Sequence, residues 1–74
     1  MEGRRVKAAR IIVGITQSQL AQRCHMPRAL LSAVEVGRVL PGDEMRDRIA
    51  EAIGMDVDLL FGQQPDRLLA MRAN

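Results

Sequence analysis

The sequence predicts an all-α domain of five short helices. Apolar residues recur at helical spacing along the whole chain, and no segment shows the strict alternation of an exposed strand. Glycines and prolines divide the chain into pieces of helix length. With 74 residues and a single aromatic side chain, Phe61, the core must be small and aliphatic. We therefore expect one domain over residues 1–62, followed by a tail over residues 63–74.

The first two helices meet at a glycine. The first is predicted from about Arg4 to Val13, with Gly14 as a C-terminal stop. Its buried face would carry Val6, Ala9 and Val13. The second begins after Thr16, which with Gln19 three residues later has the pattern of a capping box. Its buried face would carry Leu20, Ala21 and Cys24.

The third helix follows the short turn "CHMP". Pro27 suits its first turn, and Gly37 marks its end. The buried face would carry Leu30, Leu31 and Val34. The fourth helix is predicted from Asp43 to Gly54 with Met45, Ile49, Ala52 and Ile53 inward, and the fifth from Asp56 with Val57, Leu60 and Phe61 inward.

The outer face of the third helix is unlike an ordinary surface. A solvated helix face is usually crowded with Lys and Glu, but this one carries Arg28, Ala29, Ser32, Ala33 and Val36. Small side chains allow a helix to approach another surface closely. Arg28 can reach the O6 and N7 atoms of a guanine, and alanine methyls can contact a thymine methyl. Two helices joined by a tight turn, the second entering the major groove, are a helix-turn-helix.

The charges are distributed unevenly. Residues 1–42 hold seven basic and two acidic residues, whereas residues 43–74 hold four basic and seven acidic residues. Ten of the eleven basic residues are arginine, whose planar guanidinium suits phosphates and guanine edges. An ordinary solvated surface would by itself explain the presence of these charges. Their uneven distribution, however, also indicates one face that meets a polyanion.

The stretch from "GITQSQLAQRC" to "DVDLLF" resembles the phage repressor and Cro-type (XRE-like) helix-turn-helix family. The resemblance covers about residues 4–61 and lies in an ordered set of short elements rather than in any single one. These elements are Thr16-Gln17, Leu20-Ala21, Glu35-Val36-Gly37, Pro41, Ile49-Ala50, Ile53-Gly54 and Leu60-Phe61. Departures from the family pattern are His25 in the turn, Pro27 at the cap, and Val36 and Val39 in place of polar residues.

The resemblance implies roles by position. The residues facing base edges would be Arg28, Ala29, Ser32 and Ala33. The residues at the DNA backbone would be Thr16, Gln17 and Arg38. Arg10 and Glu35 match a pair that in the family bridges the first and third helices, so we expect a structural ion pair there.

Catalysis and metal binding find little support. Cys24 and His25 invite a metal interpretation, but the chain has no second Cys or His to complete a site. No serine belongs to a His–carboxylate constellation, because the one histidine sits in a turn. We therefore expect no enzyme, no cofactor and no metal. The absence of a long apolar run and of a signal-peptide pattern favours a cytoplasmic protein without membrane association.

Two apolar features lie outside the predicted core. Ile11 and Ile12 occupy positions where a solvated helix would carry charge, and the tail "QQPDRLLAMRAN" is compatible with a short sixth helix. The apolar residues of that tail are Leu68, Leu69 and Met71. The tail either folds back over the isoleucines or, the alternative we favour, joins them in pairing two subunits.

The leading hypothesis is a sequence-specific regulator of transcription that binds double-stranded DNA. It would act as a homodimer and read an inverted repeat through the helix at about residues 28–36. The alternatives are a protein-interaction module that retains the fold, or an antitoxin that combines both roles. Their support is the apolar set Ile11, Ile12, Val36, Val39 and Leu40, together with the few basic contacts.

Overall fold

The computed structural model describes residues 2–62, and this part of the chain contains five α-helices. They are α1 (Glu2–Val13), α2 (Gln17–Arg23), α3 (Arg28–Glu35), α4 (Asp43–Ile53) and α5 (Val57–Phe61). The predicted all-α, five-helix class is therefore confirmed. The predicted sixth helix and the tail from residue 63 onward lie outside the described residues.

The helices enclose one aliphatic core. α1 packs against α3, α4 and α5, while α2 packs against α3 and α4. The largest fully buried side chains come from all five helices and the turn after α2: Val6, Leu20, Cys24, Leu31, Val34, Ile49 and Leu60. Phe61 also lies in this core, with the Arg46 guanidinium 5.8 Å from its ring centroid. No helix within residues 2–62 combines the length and apolar character needed to cross a membrane.

Local signals fix the helix ends largely where the sequence places them. Thr16 and Gln19 form the predicted capping box, with Gln19 N donating to Thr16 Oγ1 at 3.0 Å and Thr16 N donating to Gln19 Oε1 at 2.8 Å. Asp56 caps α5 through hydrogen bonds from the amides of Asp58 and Leu59. Gly14 terminates α1 with a φ of +81°, a conformation that favours glycine.

Two boundaries differ from the prediction. α1 begins at Glu2 rather than near Arg4. Pro27 is the N-cap of α3 rather than a residue of its first turn, because its ψ of 142° is extended. Its carbonyl oxygen nevertheless accepts the first hydrogen bonds of α3, from the amides of Leu30 and Leu31.

Several predictions of buried residues need correction. Val13 is 47% exposed, because the chain turns at Gly14 and Ile15 packs against the core at that end of α1 instead. Leu30 is only half-buried, since it lines a surface groove beside Met26. Ala50, which the prediction omitted, is buried in α4, whereas Met45 and Ala52 are only partly buried.

The first turn of α1 lies directly on the end of α3. Gly3 is buried, and a Cβ built on it would lie 2.7 Å from the Glu35 carbonyl oxygen and closer still to that of Val34. Only glycine therefore fits at this position without a shift of one of the two helices.

Candidate nucleic-acid interface

The four residues predicted to face base edges share the outer side of α3, and we call them the reading face: Arg28, Ala29, Ser32 and Ala33. Arg28 and Ala29 are exposed, and Ser32 and Ala33 are half-buried. The inner side of the same helix is occupied by Leu31, Val34 and Glu35, all buried. The helix thus turns Leu31 and Val34 into the core and leaves the four side chains of the reading face exposed or partly exposed.

The reading face consists of two parallel rows. Arg28, Ser32 and Val36 follow one another at intervals of four residues, and so do Ala29 and Ala33. Residues at this spacing lie about 5–6 Å apart on one side of a helix. The first row therefore carries the two hydrogen-bonding side chains of the reading face and ends at the apolar Val36 next to it, whereas the second row carries only methyl groups.

A surface groove runs between the end of α1, the start of α2 and the outer side of α3. Arg28, Ser32 and Val36 line it from α3, and Thr16 and Gln17 line it from α2. From α1 and its end come Lys7, Arg10, Ile11 and Gly14. Lys7 and Arg28 are both exposed, so the groove presents positive charge beside the reading face.

The groove has an ion pair at its base. Arg10 Nε lies 2.9 Å from Glu35 Oε2, and Arg10 Nη2 donates to Glu35 Oε1 at 3.1 Å. The third contact of the guanidinium is a hydrogen bond of 3.2 Å from Nη1 to the Ile15 carbonyl oxygen. Among the residues whose burial the structure describes, Glu35 is the one charged residue in the core, with 5% exposure. This pair joins α1 to the end of α3, at the positions the resemblance assigns to a structural role.

Gln17 extends the ion pair to the reading face. Its Nε2 donates to Glu35 Oε1 at 3.3 Å, and its Oε1 accepts a hydrogen bond of 3.1 Å from Arg28 Nε. The resemblance assigns Gln17 to the DNA backbone and does not predict this contact. No spacing in the sequence specifies this contact, because it depends on how α2 and α3 pack against each other.

The predicted backbone-contacting residues lie at helix ends. The hydroxyl of Thr16 is engaged by the capping box, while the amides of the first turn of α2 have no preceding helical carbonyl to bond. Arg38 is exposed in the turn after α3. Its own amide donates to the Ala33 carbonyl oxygen at 2.8 Å, which holds this turn against the helix.

The exposed isoleucines of α1 line two different grooves. Ile11, 59% exposed, lies with Val36 in the groove beside the reading face. Ile12, 80% exposed, lines an apolar groove between α1 and α5 together with Met55 and Leu59. The structure therefore does not bring the two isoleucines into one concave surface. Leu68, Leu69 and Met71 lie outside the described residues.

Cys24 behaves as a small apolar residue. It is 1% exposed, and its Sγ lies 3.8 Å from the Arg48 carbonyl oxygen. Burial raises the pKa of the thiol, and the positive charge of Arg48 offsets part of this rise. His25 has a φ of +57° in the turn between α2 and α3 and points to solvent. Within residues 2–62, no three His, Cys, Asp or Glu side chains are grouped so that they could hold a metal ion.

The fold and the paired helices α2 and α3 define a helix-turn-helix protein. A family model described as a helix-turn-helix domain matches residues 3–60, and the chain belongs to this family. The predicted resemblance to phage repressors is thereby confirmed in its class, and a phage relative supports it further.

That relative is an immunity repressor protein from Bacillus phage phi105. It is 32% identical to this chain over 62 residues, which represent 84% of this chain. The matched part represents 43% of the relative, so the chain spans less than half the length of that protein. The comparison with solved structures found none that matches.

Proposed function

We propose that this chain is a sequence-specific regulator of transcription that places α3 in the major groove of double-stranded DNA. The observation that carries the proposal is the reading face. Its four small or hydrogen-bonding side chains lie away from the core on α3, the second helix of the helix-turn-helix. Membership of the helix-turn-helix family and the name of the phage relative, an immunity repressor, support the same function.

Within this proposal, Arg28 is the principal base reader. It stands at the first position of α3, where a recognition helix enters the groove. Its guanidinium matches the two acceptors of a guanine, and Ser32 one turn later donates to or accepts from a neighbouring base edge. At the start of α2, the hydroxyl hydrogen of Thr16 and the amide of Gln17 would contact one backbone strand, and Arg38 would contact a phosphate directly.

The protein would bind as a homodimer on an inverted repeat. A single reading helix of eight residues with one arginine offers few base contacts, and a second subunit doubles them. Two-fold dimers of this class read half-sites about 34 Å apart. Ile11 and Ile12, together with Leu68, Leu69 and Met71 of the tail, are the candidate residues for the subunit contact.

Exposed apolar residues favour a second candidate, a protein-interaction module or antitoxin on the same fold. Ile11, Ile12, Val36 and Leu40 are all more than half exposed. Val39, which the sequence places among these apolar residues, is not exposed in the same way because it is partly buried against the core. A protein partner would bind these residues whether or not the reading face also binds DNA.

Selection from a pool of random duplex DNA at two salt concentrations tests the proposal, with size measurement of the free and bound protein. We expect an enriched palindromic sequence, a two-to-one complex and a steep loss of affinity with salt. Enrichment of no sequence, with no binding at low salt, would overturn the DNA function and leave the protein-interaction module.

Arg28→Ala, carried through the same selection, should relax the preference at one base pair of each half-site. The expected loss of binding free energy is about 1–3 kcal/mol. Arg23→Ala is the matched control, because Arg23 is an exposed arginine at the end of α2 and lines a groove with His25 and Glu51 instead. An unchanged base preference in Arg28→Ala would show that this residue is not the reader.

As part of the same proposal, the protein works without a catalytic step, a cofactor or a metal, and in the cytoplasm, where its DNA lies.

A further inference from the structure

We infer that the apolar groove between α1 and α5 is the docking site for residues 65–72 of the same chain. The groove is the one that Ile12 lines, and its occupant is the segment "PDRLLAMR", which lies outside the described residues. This docking completes the domain itself and does not depend on the proposed DNA function.

The lining of the groove is almost entirely apolar. Its residues come from one side of α1 and from α5 with the turn before it: Arg5, Ala8, Ala9, Ile12, Met55, Leu59 and Leu60. Ile12 is 80% exposed and Leu59 is 69% exposed, yet the groove reaches the core at Leu60, which is 1% exposed. Large apolar side chains at the rim and small alanines on α1 form a depression that an apolar segment fits.

The chain leaves α5 beside this groove. α5 ends at Phe61, and Gly62 follows with a φ of +80°, a left-handed conformation that ends the helix. A Cβ built on Gly62 would lie 3.2 Å from Nη1 of Arg5, a residue of the groove lining. The segment from residue 63 onward therefore begins next to the groove, and Gln63 with Gln64 is the whole connection to residues 65–72.

The segment matches the groove in length. On α1 the lining extends from Arg5 to Ile12, which corresponds to about 10 Å along the helix axis at a rise of about 1.5 Å per residue. Residues 65–72 built as a helix have the same length. A helix that begins at the Arg5 end of the groove would therefore reach Ile12 and stop there.

The order of residues in the segment also fits the groove. Leu68 and Met71 are three residues apart, so on a helix they share one side and would face the groove together. Asp66 precedes them and would lie near Arg5, the one charged residue of the lining, at the end where the segment begins. Opposite charges would thus meet at one end of the groove, and apolar side chains would meet along the rest of it.

The short connection favours the same chain over a second copy as the source of the segment. A segment tethered by a few residues has an effective concentration in the millimolar range at the groove, on the order of 1 mM, whatever the concentration of the protein. Burial of one leucine side chain corresponds to a factor of roughly 10–100 in the population of the docked state. Leu68 alone therefore provides enough apolar surface to keep the segment docked.

Docking of the segment also redefines the subunit contact of the proposed homodimer. Ile12, Leu68 and Met71 would be used within one chain. Leu69 lies about 100° around the helix from Leu68 and would remain on the outer side of the docked segment. Leu69 is therefore the tail residue that stays available to a second subunit.

The experiment measures disulfide formation in the full chain after two cysteines are introduced. Ile12→Cys combined with Met71→Cys places one thiol in the groove and one on the segment. Ile11→Cys combined with Met71→Cys is the matched control, because Ile11 is the neighbouring residue, is 59% exposed and lines the other groove. Cys24 stays in place, since it is 1% exposed. Titration of free thiols counts the bonds formed, and denaturing gels without reductant separate bonds within one chain from bonds between two chains.

We expect the Ile12 protein to form a bond within one chain about ten times faster than the Ile11 control, because docking holds the segment at one groove. Leu68→Asn added to the Ile12 protein should lower its rate to that of the control. Leu40→Asn should leave the rate unchanged, since Leu40 is 80% exposed and does not belong to the groove lining.

Equal rates in the Ile12 and Ile11 proteins would overturn the inference, because the segment would then not distinguish the two grooves. A fast bond between two chains would assign the groove to the tail of a second copy and overturn docking within one chain. A rate that Leu68→Asn leaves unchanged would show that this leucine does not hold the segment, which also overturns the inference. The proposed DNA function survives each of these results, since selection of DNA sequences tests it separately.

Discussion

Arg28 Nε donates a hydrogen bond of 3.1 Å to Gln17 Oε1, and this contact joins the first residue of α3 to the first residue of α2. Gln17 is bonded in turn to Glu35, and Glu35 to Arg10. Four side chains from three helices thus form one connected polar network. Arg28, which is proposed to read a DNA base, is therefore held by a chain of side chains that reaches the floor of the groove.

Gln17→Ala should lower base discrimination more than it lowers overall affinity. Without the amide, the Arg28 guanidinium is free to adopt other rotamers and must be ordered on binding, at a cost of about 0.5–1.5 kcal/mol. Competition binding between the selected duplex and one with the guanine replaced measures the effect. Gln22→Ala, at an exposed residue of the same helix, is the control. Equal losses on both duplexes would assign Gln17 to the DNA backbone alone.

Arg38→Ala should weaken binding to every DNA sequence by the same factor. Arg38 is exposed in the turn after α3, and the proposal gives it a phosphate rather than a base. Removing one such contact lowers the slope of log affinity against log salt by about 1. Titrations of selected and random duplexes at several salt concentrations measure this slope. A change restricted to the selected duplex would instead make Arg38 a base reader.

Loss of one partner of the Arg10–Glu35 pair should destabilise the fold more than loss of both. The side chains are 12% and 2% exposed, so a stranded charge at this place is poorly solvated. Glu35→Met should lower the free energy of unfolding by about 3 kcal/mol, and adding Arg10→Met should restore part of it. Urea denaturation measures both variants.

The exposed pair between Arg48 and Glu44, with side chains 53% and 82% exposed, provides the control for that experiment. Glu44→Gln should change the free energy of unfolding by less than about 0.5 kcal/mol. If the double variant of Arg10 and Glu35 is less stable than either single variant, the pair contributes net stability and the expectation is wrong.

Stability should fall with rising pH in the alkaline range because of Cys24. Burial raises the pKa of this thiol above its ordinary value of 9.0. Because the folded state favours the neutral thiol, the contribution of Cys24 to the free energy of unfolding is complete below the pKa that this thiol has in the unfolded chain. It is then lost as pH rises through the pKa of the folded protein. Urea denaturation at pH 7 and at several values above 9, compared with Cys24→Ala, measures the contribution. Identical pH dependence in both proteins would exclude Cys24 as its source.

The sequence predicted the elements whose signals are local. Helix ends are predicted by residues whose own chemistry caps or terminates a helix, such as Thr16 with Gln19, Gly14 and Asp56. A buried face is predicted by the helical spacing of Leu20, Ala21 and Cys24. Predictions failed where tertiary packing decides the result. Val13 has the right helical phase to be buried, but the chain turns and Ile15 covers the core in its place. No pattern within α1 contains that information.

The candidate site shows the same division. The outward direction of Ala29 and Ala33 follows from the helical period and was predicted. The bridge from Gln17 to Arg28 depends on the angle between α2 and α3, which no spacing in the sequence specifies. Ile11 and Ile12 are neighbours in the chain, and their separation into two grooves arises because α3 and α5 pack on different sides of α1.

Gly3 links the outermost turn of the domain to the angle at which α3 is presented. Because it has no side chain, α1 rests against the carbonyl oxygens of Val34 and Glu35, and this contact limits how far the C-terminal end of α3 can rise. A single added carbon there would force α1 and the end of α3 apart, which would change the angle at which α3 presents its outer side. Under the proposed function, a glycine on α1 would therefore influence how deeply Ala29 and Ala33 enter the major groove.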